Sequence, residues 1–206
     1  MRAYIYWDFV INSSWGLLSP VFAIFLIQRV SNNIAEAATV AGFATLFYWI
    51  TKSILQVPIG NYLDKNHGEI DDFWFYITGT IITGLVPFGF LFSTLPWHIY
   101  ALQVLHAVGM SMIVPSSYAI FIRHVDKGKE AYESGLDSTI LGIGAGVSGA
   151  AGGIIAGYIG FQLIFIVIGV STLLSVAFIA RVRDDMLPKV PRNVHDLPVS
   201  KDNINV

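Results

Sequence analysis

No cysteine occurs anywhere in the 206 residues. Disulfide scaffolds, thiolate metal sites and thiol nucleophiles are therefore excluded. Charge is nearly as scarce: 13% of the residues are Asp, Glu, Lys or Arg, against roughly a quarter in an ordinary soluble domain. The formal net charge of −2, with no basic run long enough to follow a phosphate backbone, argues against nucleic acid as a partner. No nucleotide-cradling loop follows a strand, so direct driving by ATP would require another subunit. The sequence shows neither a nucleophile–base pair nor a metal cluster, and it calls for no cofactor.

Apolar sequence is abundant instead. Hydrophobic residues make up 54% of the chain and mean hydropathy is +0.63, so the solvent for most of this surface is lipid. A span needs about 20 mostly apolar residues. Six segments meet that length, at about 7–30, 35–63, 73–93, 96–123, 131–159 and 161–181. The first is long, contains Asp8 and Asn12, and lacks a small-residue cleavage site, which marks it as a retained helix rather than a signal peptide. Residues 1–182 thus read as one transmembrane domain, and the polar, proline-bearing residues 183–206 as a disordered cytoplasmic tail.

Basic residues set the orientation. With six spans, Arg2, Lys65, Arg123, Lys127, Lys129 and the basic residues from Arg181 onward fall on one side, and Arg29 alone on the other. The positive-inside rule places both termini in the cytoplasm. Interior prolines in the first four segments (Pro20, Pro58, Pro87 and Pro115) each remove a backbone hydrogen bond and favour a bend.

Polar groups at membrane depth are costly and face partners or water. They concentrate in segments one, two, four and five, which points to a wet interior lined by those helices, with segments three and six outside. Lys52 lies about ten residues, roughly 15 Å of helix, from the end of segment two. It either snorkels to the interface or serves a solute pathway. Asn12, Trp15, His106 and Asp137 are the other pathway candidates, and proton coupling is open to His106 or Asp137. Segment five is glycine-dense, and Gly142, Gly146, Gly149 and Gly153 carry small-xxx-small spacings that permit close helix contact. The run Gly146-Val147-Ser148-Gly149 also spells the GxSG of rhomboid proteases, but segment six lacks the histidine that chemistry needs.

The stretch from Gln56 to Trp74 holds Gly60, Asp64, Lys65 and Gly68, and it resembles motif A of the major facilitator superfamily, G-x-x-x-D-[RK]-x-G-[RK]. The second glycine arrives one residue late, and acidic Glu69, Asp71 and Asp72 stand where basic residues are usual. In segment five, Gly144, Gly152 and Gly153 are similar to part of motif C, and in segment four Gly109 matches the motif B glycine. Leu105 and Val108 replace that motif's usual arginine and glutamine.

The resemblance implies an all-α membrane protein built as a 3+3 inverted repeat, one six-helix half of a major-facilitator-type transporter. Two such halves are related by an axis along the membrane normal. For this length, the resemblance implies a homodimer in which segment two of one protomer meets segment five of the other. Lys52 is then expected within reach of the partner's Asp137. The expected function is secondary transport of a small solute by alternating access, with the Gly60–Gly68 loop as a gate. The competing expectation is a non-transporting accessory or scaffold half that pairs with a different subunit.

Overall fold

The structure, a computed structural model, describes the backbone of residues 2–66 and 69–186 and the side chains of residues 9–65, 70–123 and 125–178. Seven helices account for it: α1 (Arg2–Gly16), α2 (Phe22–Arg29), α3 (Ile34–Asn66), α4 (Glu69–Leu91), α5 (Pro96–His124), α6 (Glu130–Tyr158) and α7 (Phe161–Met186). Among the described residues there is no strand. In lipid each backbone polar group must be satisfied within its own segment, so long apolar runs become helices. Five of them, α3 to α7, are long and apolar enough to cross a membrane.

The first expected segment is two helices rather than one. Between Gly16 and Phe22 the chain closes through short i+3 bonds, Leu17 N–H to Ser14, Leu18 N–H to Trp15 and Val21 N–H to Leu18. The cause is Pro20, which offers no N–H to the Gly16 carbonyl four residues back. Helices α3 and α4 also extend further toward each other than expected. Asp64 and Lys65 end α3 and Asp71 and Asp72 begin α4, so these charges belong to helices, not to a loop. Gly68 lies outside the described residues, as does the expected tail from residue 187 on; α7 continues through Met186.

Local chemistry explains the helix ends. Asn33 Oδ1 accepts the Glu36 N–H at 2.9 Å, and the Glu36 carboxylate accepts the Asn32 N–H at 2.8 Å, a reciprocal cap on α3. Pro96 opens α5, with His98 Nδ1 accepting the N–H of Thr94 and of Leu95. Gly160, at φ +104°, ends α6 by donating its N–H to the Ile155 carbonyl.

Successive spans run in opposite directions. Gly79 faces Gly109 and Gly89 faces Leu102, so α4 and α5 are antiparallel. Phe43 and Phe47 meet Tyr100, and Gly60 meets Pro115, so α3 and α5 are parallel. The α1–α2 pair follows α7 antiparallel from Ser14–Ser171 to Phe25–Phe161. The core has two parts. Phe22, Phe25, Phe90, Phe161 and Phe165 form a ring cluster around α2, with Phe25 and Phe165 centroids 4.9 Å apart. Ile11, Phe73, Tyr76, Ile77 and Ile113 fill the other end. Lipid tails are as apolar as these side chains, so dense packing and ring geometry, not dehydration, hold the helices together.

Burial does not follow the expected division into inner and outer helices. Within this chain α4 is the most enclosed span and α7 the next, whereas α3 and α6 are the most open. The central positions go to the two segments expected outside, because α4 packs on both α5 and α7.

Candidate functional site

A cavity of about 280 Å³ opens beside the break in the first span. Its walls are Trp15 of α1, Leu18 and Ser19 of the break, Phe22 of α2, Thr45 and Tyr48 of α3, and Gln103 and His106 of α5. The break shapes it directly, because a straight first helix would not present Leu18 and Ser19 there. Irregular backbone at membrane depth is stable only where protein or a wet cavity covers it.

The aromatic wall is ordered. The Trp15 indole and the His106 imidazole stack with centroids 3.9 Å apart and planes 8° from parallel. Tyr48 lies against the same imidazole, 5.2 Å away and tilted by 46°. Trp15 Nε1 is buried without an acceptor, so the indole is held by stacking rather than by a hydrogen bond. One helical turn on from Tyr48, Lys52 places its Nζ 5.7 Å from the Tyr48 ring and 5.0 Å from the Trp49 ring. These are cation–π distances. Lys52 has no ion-pair partner among the described residues, and its charge acts on His106.

Trp15, Lys52 and His106 therefore gather at one place. Tyr48, which links all three, carried no sequence signal beyond its i, i+4 spacing to Lys52. Asn12 is exposed on α1, three residues before Trp15 and outside the cavity wall. Asp137 is apart from them. It is half-buried on α6, and its Oδ1 has no hydrogen-bond partner. Helices α1 and α6 run parallel, with Gly144 against Phe9 and Ser13 and Gly152 against Leu17. Seven residues before Gly144, Asp137 lies about 10 Å nearer the N-terminal ends than that contact. Lys52 is roughly level with Asn12, through Tyr48, His106 and Trp15. A two-fold axis along the membrane normal preserves depth, so the expected Lys52–Asp137 pair would have to bridge an offset of about 10 Å.

The α6 glycines divide between two faces. Gly149 sits against the break, with a Cβ there 3.6 Å from Pro20 and 3.7 Å from the Gly16 carbonyl. Gly142, Gly146 and Gly153 face outward, and a Cβ at any of them would meet nothing within 4 Å. At the opposite end of the bundle from Arg29, the structure shows a contact that sequence reasoning missed. Asp72, fully buried at the start of α4, is paired with Arg123 at the end of α5. Gly60 packs on Pro115, while Asp64 and Lys65 are exposed at the end of α3.

Comparison with known proteins gives the family. The family model of the Major Facilitator Superfamily matches residues 9–204. The chain belongs to the Major Facilitator Superfamily. It is also similar to the multi-drug resistance efflux pump PmrA homolog of Lactococcus lactis subsp. lactis, 23% identical over 175 residues. That match covers 83% of this chain and 42% of the relative, so the chain spans less than half the length of the pump it resembles. Membership makes this a multi-pass membrane protein and gives the broken first span, the cavity and the open α6 face a family setting.

Proposed function

We propose that this chain is a six-span half of a major-facilitator secondary transporter, which moves a small solute by alternating access between two halves. The observation that carries the reading is the pair of incomplete faces on α3 and α6. On α3, Phe43, Leu46, Trp49, Ile50, Ile54 and Val57 project outward, Trp49 at 55% and Val57 at 73% exposure. On α6, Gly142, Gly146 and Gly153 leave a shallow groove. Bulky ridges and a glycine groove are complementary surfaces, and small residues permit the close approach that drives association in lipid. A second copy, turned about an axis along the membrane normal, places α3 of each protomer on α6 of the other.

The contact pattern supports the 3+3 repeat. If the α1–α2 pair corresponds to α5, α3 to α6 and α4 to α7, then α1·α6 maps onto α5·α3 and α4·α5 onto α7·α1. Both members of each mapped pair are present. The α1–α2 pair runs antiparallel alongside α7 from Ser14–Ser171 to Phe25–Phe161, which supports a sixth crossing. With six alternating spans, the ends holding Lys65, Arg123 and Lys127 are cytoplasmic by charge. The Asp72–Arg123 pair and the Gly60–Pro115 contact tie the helices at that end. There they form the stable part of a gate that includes Asp64 and Lys65.

The decisive measurement is the mass of the purified protein in nanodiscs, for the native chain and for Gly146→Leu with Gly153→Leu. A particle of twice the 22.6 kDa chain mass, reduced to one copy in the variant, is the expected outcome. A native monomer would remove the homodimer and favour an accessory half that pairs with a different subunit.

A further inference from the structure

The cavity walls and the nearest charge together constrain the solute. Trp15, Tyr48 and His106 present flat π surfaces, and Gln103 and Thr45 add neutral polar contacts. Among the described residues no carboxylate lines the cavity. The cation beside it, Lys52, is half-buried on a membrane-spanning helix and rests on the Tyr48 and Trp49 rings without an acidic partner among the described residues. Asp137, the other unpaired charge at depth, is on α6 and contributes nothing to the wall. An ammonium at membrane depth needs an anion or water, and ring faces compensate only part of its lost hydration. Aromatic walls without acid beside an unpaired cation make a poor site for a cationic compound. They make a good one for a planar anion. The volume of about 280 Å³ is near the lower end of ligand pockets, which run from about 300 to 1,000 Å³, so the occupant is a molecule of one or two rings.

We propose that this cavity binds aromatic carboxylates, the ring system lying against Trp15, Tyr48 and His106 and the carboxylate drawing Lys52 off its tyrosine as counter-ion. The inference deepens the transporter reading by naming its solute class, and it rests on that reading only for the movement of the solute.

Three probes of one shape and three charges test it: naphthoate, naphthamide and naphthylmethylammonium, measured by equilibrium binding to the full chain in nanodiscs. Naphthoate is expected to bind roughly tenfold or more tighter than either of the others, the usual strength of a charge-assisted contact. Lys52→Gln should remove that preference by weakening naphthoate binding, and Lys52→Arg should keep it. Equal or tighter binding of the ammonium probe would overturn the assignment, as would no binding of any probe. So would an anion preference that survives Lys52→Gln. The native series decides even where a variant fails to fold. Counterflow of labelled naphthoate in proteoliposomes separates the two readings. Selective binding without counterflow defeats transport and leaves the solute class standing, whereas counterflow of the ammonium but not the naphthoate does the reverse.

Discussion

Two neighbouring glycines on α6 offer a sharp test of how this bundle is held. A Cβ at Gly152 would lie 2.8 Å from the Leu17 carbonyl carbon and 2.9 Å from its Cα, with the carbonyl oxygen nearer still. These are backbone atoms, so no rotamer change relieves the clash; α1 and its break must move away from α6. Overpacking of this kind costs about 1–3 kcal/mol. Replacing a helical glycine by alanine returns up to about 1 kcal/mol through backbone propensity. The propensity gain is common to Gly152→Ala and Gly153→Ala, so the first should be the less stable of the two by the overpacking cost, about 1–3 kcal/mol, and larger residues at 152 should cost more. At Gly153 the same Cβ meets nothing within 4 Å, so Gly153→Ala should keep or slightly raise stability. Thermal unfolding of the two variants in one detergent, followed by loss of the monodisperse chromatographic peak, reads the difference. A Gly152→Ala protein as stable as Gly153→Ala would show that α1 and α6 are not packed as described.

Further tests address other parts of the molecule. Arg123→Gln should cost about 3–5 kcal/mol by leaving Asp72 buried and unpaired, and Asp72→Leu with Arg123→Leu should recover most of it, as a thermal double-mutant cycle will show. Recovery no better than the single change would mean that the pair does not act as a unit. Because the chain has no cysteine, single cysteines report water access without background: Ser19→Cys and Gln103→Cys should react with a polar maleimide, and Val86→Cys, in the core, should not. Labelling of Lys127→Cys from the cytoplasmic side only, and of Asn32→Cys from the opposite side only, checks the orientation; the reverse pattern would invert it. Trp15→Ala should lower affinity for any aromatic ligand roughly five- to tenfold, the usual worth of one ring contact, while Trp15→Phe retains most of it.

Five spans, α3 to α7, were legible as apolar length, as was a first expected segment, and the alternation of the spans follows from short connections. The break in the first was only half legible. Pro20 announced a bend, but a kink and a full interruption cost the helix the same hydrogen bond, and neighbours decide between them. Here Leu17 and Gly16 turn toward α6, where Gly149 and Gly152 leave room. Lys52, Trp15 and His106 stood out as polar or amphipathic groups in apolar surroundings, and they converge. Asp137 stood out for the same reason and does not join them, because polarity at depth marks a cost without stating which neighbour meets it. The Asp72–Arg123 pair was hidden for a different reason. Its two charges are 51 residues apart, and each looked like an ordinary interfacial residue. Helix propensity was no guide to which α6 glycines face inward. Gly152 and Gly153 differ only by the 100° between successive residues on a helix.

The interruption at residues 17–21 also has a mechanical meaning. On one side of it, α1 is clasped to α6 through Gly16–Ser148 and Leu17–Gly152. On the other side, α2 is fixed by Phe25 to the rings of α4 and α7. The regular hydrogen-bond ladder has lapsed where the two parts join, although α1 is also held to α4, α5 and α7 by Ile11, Trp15 and Ser14. A bend at that joint breaks no i+4 bond of either helix, but it must carry the Ile11, Trp15 and Ser14 contacts of α1 with it. Leu18 and Ser19 belong at once to the joint and to the cavity wall, so the backbone geometry of the break sets the width of the chamber's mouth.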